Sequence, residues 1–303
     1  MAPASRQKLH VLWATDGSAS ARNAVPLLRG LVLPAAERLT VLTVAPHSLI
    51  SGARPDPAFI ARVTPAARRG ALVEAEQLAM REATALDPPF KPDVLSRWGH
   101  PIQEVLRAAR SLAADLIVLG AKGHSNLRIL VLGSVSQGVV QHATLPVLIA
   151  RPSAGPVRRV VLGYHGSAAA RRAVAFLERL ALPPEVEVRL TTVVEPFAVP
   201  AGTPIGYRRL AIAEANRVNA RRHTAAQRAL DGLAARLRAD GLRVETEVVA
   251  GAAGPELDAA AQRHGAELIV VGSRKPSPAR HYLLGSTAEK LVRHARASVL
   301  VVR

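Results

Sequence analysis

The sequence predicts an α/β protein of two tandem doubly wound domains, each a five-stranded parallel sheet with helices on both faces. Three observations support this class. The second half of the chain repeats the first at a spacing of about 150 residues. Within each half, short continuous apolar runs alternate with longer stretches of helical period, as expected for buried parallel strands separated by helices. Glycine- and serine-rich stretches follow the first and fourth apolar runs, at the strand ends where such sheets bind ligands.

The internal repeat consists of four pairs of matching segments. These are HVLWATDGSASARNAV (10–25) with VVLGYHGSAAARRAV (160–174), TVLTVAP (40–46) with LTTVVEP (190–196), ADLIVLG (114–120) with AELIVVG (266–272), and LPVLIARP (145–152) with ASVLVVR (297–303). The spacing is far too long for a solenoid unit, so each half is a domain. The predicted domains are residues 1–152 and 157–303, joined by a connector that contains Gly155 and Pro156.

Five strands are predicted in each half, with four helices between them. In the first half they lie near residues 9–15, 38–45, 92–98, 115–120 and 146–150. The helical period is clear in ALVEAEQLAMREATA, residues 71–85. In a sheet of this kind the ligand binds at the carboxyl ends of the strands, so the residues after strands one and four are the candidate site.

Composition restricts the class of protein and of partner. Forty basic and 23 acidic residues give the chain a net charge of +17, which favours anionic partners. The arginines are scattered, however, and an arginine-rich solvated surface explains them as well. The chain has no cysteine, which excludes disulfides and zinc-thiolate sites and fits a reducing compartment. We find no signal-peptide core and no apolar run of membrane-spanning length, so we expect a cytoplasmic protein without a membrane partner.

The segment ATDGSAS follows the first strand. Asp16 ends the strand, Gly17 permits a tight turn, and Ser18 or Ser20 is expected to cap the next helix. A carboxylate at this position accepts hydrogen bonds either from the hydroxyls of a bound ribose or from the helix itself. The residues alone do not decide between these two roles.

The segment GAKGHSNLRILVLGS, residues 120–134, follows the fourth strand with the pattern G-x2-G-x9-G-S. Its pattern positions are Gly120, Gly123, Gly133 and Ser134. Glycines allow backbone amides to approach an anion, and a helix amino terminus adds the positive end of its dipole. The pattern therefore indicates a phosphate site.

A helix is expected to begin at the end of this segment. Ser134 with Gln137, and Ser286 with Glu289 in the second half, have the spacing of a capping box, which would by itself explain both serines. Lys122, His124 and Arg128 add cationic side chains to the intervening loop, although such side chains are usually solvated.

These motifs resemble the universal stress protein family in its tandem two-domain form, over essentially the whole chain. That family has the adenine nucleotide α-hydrolase-like fold, and G-x2-G-x9-G-S after DLIVLG is its ATP-binding signature. The resemblance implies ATP as the ligand, with Mg²⁺ arriving on its phosphates. It places Ala14, Thr15 and Asp16 around adenine and ribose, and Val44 at the adenine edge. Around the phosphates it places five residues: Gly120, Gly123, Gly133, Ser134 and Val135.

The second half departs from the signature twice. His165 stands at the position of Asp16, and Lys275 at that of Gly123. Histidine is a poor substitute for a ribose acceptor, and a lysine side chain narrows the approach of backbone to phosphate. We therefore predict a degenerate second site, the alternative being that Lys275 contacts a phosphate as a point charge.

No standard catalytic motif is present: the chain lacks the phosphate-loop, dinucleotide, HExxH and GxSxG patterns. The resemblance implies a regulatory ATP-binding protein of the stress response. Alternatives are a slow ATPase or self-phosphorylating enzyme, an interaction protein that does not bind ATP, and a relative of the α-hydrolases, although ATDGSAS is not their phosphate loop. A nucleic-acid binder has only the net charge in its favour.

The resemblance also implies an assembly. Single-domain members of the family dimerise through their last strand, so the two halves are expected to form that dimer within one chain, as an intramolecular pseudo-dimer. Pairing PVLIA with SVLVV would cover two apolar edges. A further homodimer of the whole chain and a regulatory protein partner stay open.

Overall fold

The computed structural model describes residues 8–46, 65–121, 132–153, 155–180, 182–274 and 284–303. Five strands of the first half lie within them: β1 Leu9–Ala14, β2 Ala36–Pro46, β3 Asp93–Gly99, β4 Leu116–Gly120 and β5 Val147–Ala150. Five more belong to the second half: β6 Arg159–Gly163, β7 Glu187–Val194, β8 Arg243–Ala250, β9 Leu268–Gly272 and β10 Ser298–Val302. The strands predicted from the sequence are confirmed, with ends that move by one or two residues.

The ten strands form one sheet in the order β3-β2-β1-β4-β5-β10-β9-β6-β7-β8. Each half contributes five parallel strands in the same internal order, so the predicted fold class is confirmed. The halves meet where β5 and β10 pair antiparallel, with Leu148 opposite Leu300. We call this strand pair the seam. Its formation confirms the predicted pairing of PVLIA with SVLVV.

Helices cover both faces of the sheet. In the first half they are α1 Ala19–Arg22, α2 Ala24–Leu27, α3 Pro65–Leu86, α4 Pro101–Ser111 and α5 Ser134–His142. In the second half they are α6 Ala168–Arg179, α7 Ile205–Ala239, α8 Ala253–His264 and α9 Ser286–His294. The core accordingly has two layers: α2, α3, α6 and α7 pack on one face, and α4, α5, α8 and α9 on the other. Both layers continue across the seam.

The first helix of the first half is broken, whereas its counterpart α6 is continuous. After Asn23 the chain forms α2, then a π-helical turn over Leu28–Val32 and a 3₁₀ turn over Leu33–Ala35. Pro26 explains the break: it has no N–H to donate to the carbonyl of Arg22, and its ring collides with that carbonyl in a regular helix. The sequence predicted a single helix between the first two strands. The structure has two short helices followed by these two turns, so the prediction is wrong in this detail.

Candidate functional site

A cavity of about 740 Å³ lies at the carboxyl ends of β1, β2 and β4, between the two helix layers of the first half. Its walls come from both layers: α3 contributes Leu78 and its neighbours on one side, and α4 and α5 contribute Val105 and Val135 on the other. This is the sheet edge where the motifs after strands one and four were expected to converge. A volume of this size accommodates a small molecule of nucleotide dimensions.

Most of the predicted site residues line this cavity. Eight of the nine do so: Ala14, Thr15, Asp16, Val44, Gly120, Gly133, Ser134 and Val135. The ninth, Gly123, lies outside the described residues, as do Lys122, His124, Arg128 and Lys275. The fold thus brings together residues that are more than a hundred positions apart in the sequence.

The turn after β1 is held by its own polar groups. Gly17 has a φ of +71°, a left-handed conformation that favours glycine. Asp16 Oδ1 accepts a hydrogen bond from the backbone N–H of Ser18 at 3.0 Å, and Ser18 Oγ accepts from the N–H of Ala21 at 3.1 Å. Ser18, and not Ser20, is therefore the cap. Asp16 thus supports the turn, and it lies exposed at the cavity.

An ion pair fixes the relative position of α1 and α3 beside this turn. Arg22 donates two hydrogen bonds to Glu82 Oε1, from Nε at 3.0 Å and from Nη2 at 2.7 Å. The Glu82 side chain is 3% exposed, while Arg22 is 59% exposed. The hydrogen bond to Glu82, and then its charge, raise the pKa of Arg22. The pair holds the α3 wall against the β1 turn.

Gly120 is required by packing. A Cβ built on Gly120 would lie 2.4 Å from the carbonyl oxygen of Ser20, and one built on Gly272 would lie 2.2 Å from that of Ala169. In both halves the fourth strand thus passes directly under the first helix. Close packing of helix and strand by itself accounts for this glycine in both halves. The role of Gly120 in the approach to phosphate stays a prediction.

The predicted capping boxes are wrong. Helix α5 begins at Ser134 with Gly133 as its N-cap, and α9 begins at Ser286 with Gly285 as its N-cap. The helix thus starts one residue earlier than a serine cap requires. The Gly133 N–H donates to the carbonyl of Ala121 at 2.7 Å. Ser134 therefore occupies the first helical position and is exposed at the cavity. The first turn of α5 presents its amino-terminal end to the cavity, an arrangement that suits an anion.

Several lining residues were missed by the sequence analysis. Five of them lie on one face of α3, namely Ala71, Glu74, Ala75, Leu78 and Arg81. Thr43 and Trp98 were missed as well. Their helical and strand periods are visible in the sequence, but nothing there indicates that these faces border a cavity.

The family assignment rests on the whole chain. A sequence model of the universal stress protein family matches residues 9–151 and matches again over residues 156–303. This protein belongs to the universal stress protein family. Both halves of the internal repeat are thus domains of one family, in tandem.

Curated relatives of this universal stress protein match about half of it. A universal stress protein of Synechocystis sp. is 33% identical over 141 residues, which cover 46% of this chain and 42% of the relative. One from Thermus aquaticus is 32% identical over 141 residues, covering 46% of this chain and 97% of the relative. The chain therefore matches less than half the length of the Synechocystis relative.

Solved structures resemble this universal stress protein over nearly its full length. A universal stress protein from Archaeoglobus fulgidus has a TM-score of 0.70 at 21% identity, covering 98% of this chain and 99% of that chain. A functionally unknown protein from Pseudomonas aeruginosa has a TM-score of 0.59 at 15% identity, covering 98% and 93%. At these identities the likeness shows the fold.

The second half of this universal stress protein differs at the equivalent strand ends. Gly166 repeats the left-handed turn with a φ of +75°, and Ser167 caps α6 as Ser18 caps α1. Tyr164, however, replaces Thr15 and packs half-buried against the core, and His165 is exposed. The cavity described above is lined by residues of the first half alone.

The structure also corrects the alignment of the two halves at their second strands. Ala14 lies opposite Leu42, and its counterpart Gly163 lies opposite Thr191. Leu42 therefore corresponds to Thr191, one residue earlier than the sequence comparison suggested, and Thr43 corresponds to Thr192.

Two features are absent from the described part of this universal stress protein. No three His, Asp or Glu side chains there come together in a way that could hold a metal ion. None of the helices there is long and apolar enough to cross a membrane.

Proposed function

We propose that this universal stress protein binds one ATP per chain in its first domain, residues 1–152, and uses it as a regulatory ligand. One observation carries the proposal: the cavity at the carboxyl edge of the first half is lined by eight of the nine residues that the family resemblance assigns to ATP. The apolar walls suit a base, and the start of α5 suits phosphates.

The strand order supports a definite orientation of the nucleotide. β1 lies between β2 and β4, so β2 and β4 are about 10 Å apart. Phosphates at Gly133 and Ser134, beside β4, would place the ribose over Asp16 at the end of β1. The base would then lie at the end of β2, beside Val44. Mg²⁺ would be held by the phosphates of the ligand.

We propose that the second domain, residues 157–303, binds no ATP. The replacement of Asp16 by His165 removes the acceptor proposed for ribose, and Tyr164 takes the place of the smaller Thr15. A cytoplasmic role in the stress response belongs to the same proposal and is supported by the family.

The direct test is to denature the purified protein, identify the released nucleotide and determine its molar ratio to the chain. We expect about one ATP per chain. Two per chain would overturn the degenerate second site. No released nucleotide, together with no heat of binding on calorimetric titration with MgATP, would overturn the proposed function.

A further inference from the structure

A groove of about 490 Å³ lies at the outer edge of the sheet, beside β3. It is lined by Ser96, Arg97 and Trp98 of this edge strand and by residues of α3 and α4 on either side. We call it the β3 groove. Among the strands that the structure describes, β3 pairs with β2 alone, so its outer N–H and C=O groups are not paired within that sheet. A strand edge of this kind can take up an extended chain as a further strand.

The two sides of the β3 groove differ in chemistry. Along β3, Val94 packs against the core layer that contains α3, and Leu95 packs against the layer that contains α4. Because side chains alternate along a strand, Trp98 faces the α3 side, where Leu72 also lines the groove. Arg97 faces the α4 side. One side of the groove thus offers apolar contacts, and the other side is basic.

The charge of the β3 groove is positive and only partly compensated. Three arginines line it, namely Arg68 from α3, Arg97 from β3 and Arg107 from α4. Glu104 lines it as well and forms an ion pair with Arg107. Neither Arg68 nor Arg97 has an ion-pair partner in the described part of the chain. Two guanidinium groups are therefore open to the carboxylates of a ligand.

The opposite edge of the sheet, at β8, carries a different arrangement of charge. Its carboxylates Glu245 and Glu247 are paired with arginines of β7 and α8. Charged side chains along an edge discourage the addition of another strand. At β3 one such pair, Arg38 with Asp93, is confined to the first residue of the strand and lies outside the groove lining. The β3 edge is therefore the one that suits an acidic chain.

We propose that the β3 groove binds an extended segment of a partner protein in which acidic and apolar residues alternate. The segment adds to β3 as a further strand, through hydrogen bonds between the two backbones. Since its side chains alternate in direction, its acidic residues face Arg97 and Arg107, and its apolar residues face Leu72 and Trp98. The groove lies beside the candidate nucleotide cavity, with Trp98 in the lining of both, and its partner does not depend on ATP.

The first test measures binding of a fluorescein-labelled octapeptide of alternating glutamate and valine to the full chain by fluorescence anisotropy. We expect saturable binding, and no binding of the same peptide with lysine in place of glutamate. Arg97→Ala should weaken binding about tenfold, as for the loss of a hydrogen bond to a charged group. Arg243→Ala, at an exposed position of β8, is the matched control and should leave the affinity unchanged.

Three results of this test would overturn the proposal. They are a wild type that does not bind the glutamate peptide, an Arg97→Ala variant that binds it as tightly as the wild type, and equal losses in Arg97→Ala and Arg243→Ala. The last result would mean that the peptide is attracted by the net charge of the chain and not by the groove.

The second test examines the backbone pairing with two N-methylated forms of the glutamate–valine peptide. Successive N–H groups of a strand point to opposite edges, so only one alternating set can donate to β3. Methylation of all glutamates or of all valines removes one set at a time. One form should lose binding and the other should keep it. Equal affinities of the two methylated forms would overturn the addition of a strand.

Discussion

Arg151 and Arg303 stand at equivalent positions, just after β5 and β10, and each reaches across the seam to the other half. Arg151 Nη2 donates to the carbonyl oxygen of Val292 in α9 at 2.7 Å, and Arg303 Nη2 donates to that of Val140 in α5. Both acceptors lie near helix carboxyl ends, where carbonyls lack intrahelical partners and the dipole is negative. Each arginine therefore gives a hydrogen-bond partner to a carbonyl near the end of the last helix of the opposite half.

Burial lowers the pKa of both guanidinium groups, and for Arg151 the charge of Asp258 partly offsets this effect. Arg151→Ala should lower the free energy of unfolding by about 3 kcal/mol, because it leaves a void and an unpaired buried carbonyl. Urea denaturation followed by circular dichroism measures this loss. Arg209→Ala, on an exposed position of α7, serves as the control. Equal midpoints for the two variants would contradict a structural role for Arg151.

Gly120→Ala tests whether the first glycine of the signature serves packing. The added Cβ would meet the backbone of α1, so we expect a loss of about 3 kcal/mol in the free energy of unfolding. Gly272→Ala should lose a similar amount, although its half is not proposed to bind ATP. A Gly120→Ala variant with unchanged stability and lost ATP binding would instead favour the phosphate role.

Asp16→Asn tests the proposed ribose contact without disturbing the turn. Asparagine keeps an oxygen that can accept from the Ser18 N–H, so this hydrogen bond of the turn should be kept. Loss of the charge should weaken ATP binding at least tenfold, as expected for a hydrogen bond to a charged group. Titration calorimetry measures the affinity. An unchanged affinity would contradict the proposed contact of Asp16 with the ribose.

Gly123→Lys reproduces in the first half the lysine of the second. If Gly123 admits a phosphate, the substitution should abolish ATP binding, because a long side chain would occupy the approach. Equilibrium dialysis with labelled ATP measures the effect, and Gly123→Ala shows how much of it a Cβ alone produces. Unchanged affinity of the lysine variant would indicate that Gly123 only shapes the loop.

The ion pairs of Glu247 should make a contribution to stability that depends on pH. Burial alone would raise its pKa, but Arg263 at 2.8 Å and His264 at 3.2 Å outweigh burial and hold the pKa below its ordinary value of 4.5. A carboxyl group whose pKa is lower in the folded state stabilises that state fully at pH values above its pKa in the unfolded state. This contribution is lost as the pH falls through the pKa of the folded state. Glu247→Gln should therefore be less stable than the wild type at pH 7.

The difference between the two proteins should shrink as the pH falls below about 4.5 and vanish below the folded pKa of Glu247. Urea midpoints of both proteins between pH 7 and pH 3 provide the comparison. A difference that stays constant over this range would rule out the ionised carboxylate as its source.

Much of the fold was readable from the sequence because buried parallel strands need continuous apolar runs. LIVLG and LIVVG, the fourth strands of the two halves, are of this kind. The left-handed turn at Gly17 was readable too, since few residues other than glycine adopt it. The capping boxes were wrong because Gly133 and Gly285 have the same sequence context as a loop glycine. Gly133 donates to the carbonyl of Ala121 and Gly285 to the hydroxyl of Ser273, and such contacts are not readable from the local sequence.

The sequence by itself determined the two domains, their strands and the family, because these follow from patterns repeated along the chain. It also named most of the residues that border the cavity. Only the tertiary structure decided what those residues face. The packing of Gly120 under α1 and the crossing of Arg151 and Arg303 both depend on surfaces far apart in the sequence. Local pattern cannot specify such contacts, because they form only when the sheet brings those surfaces together.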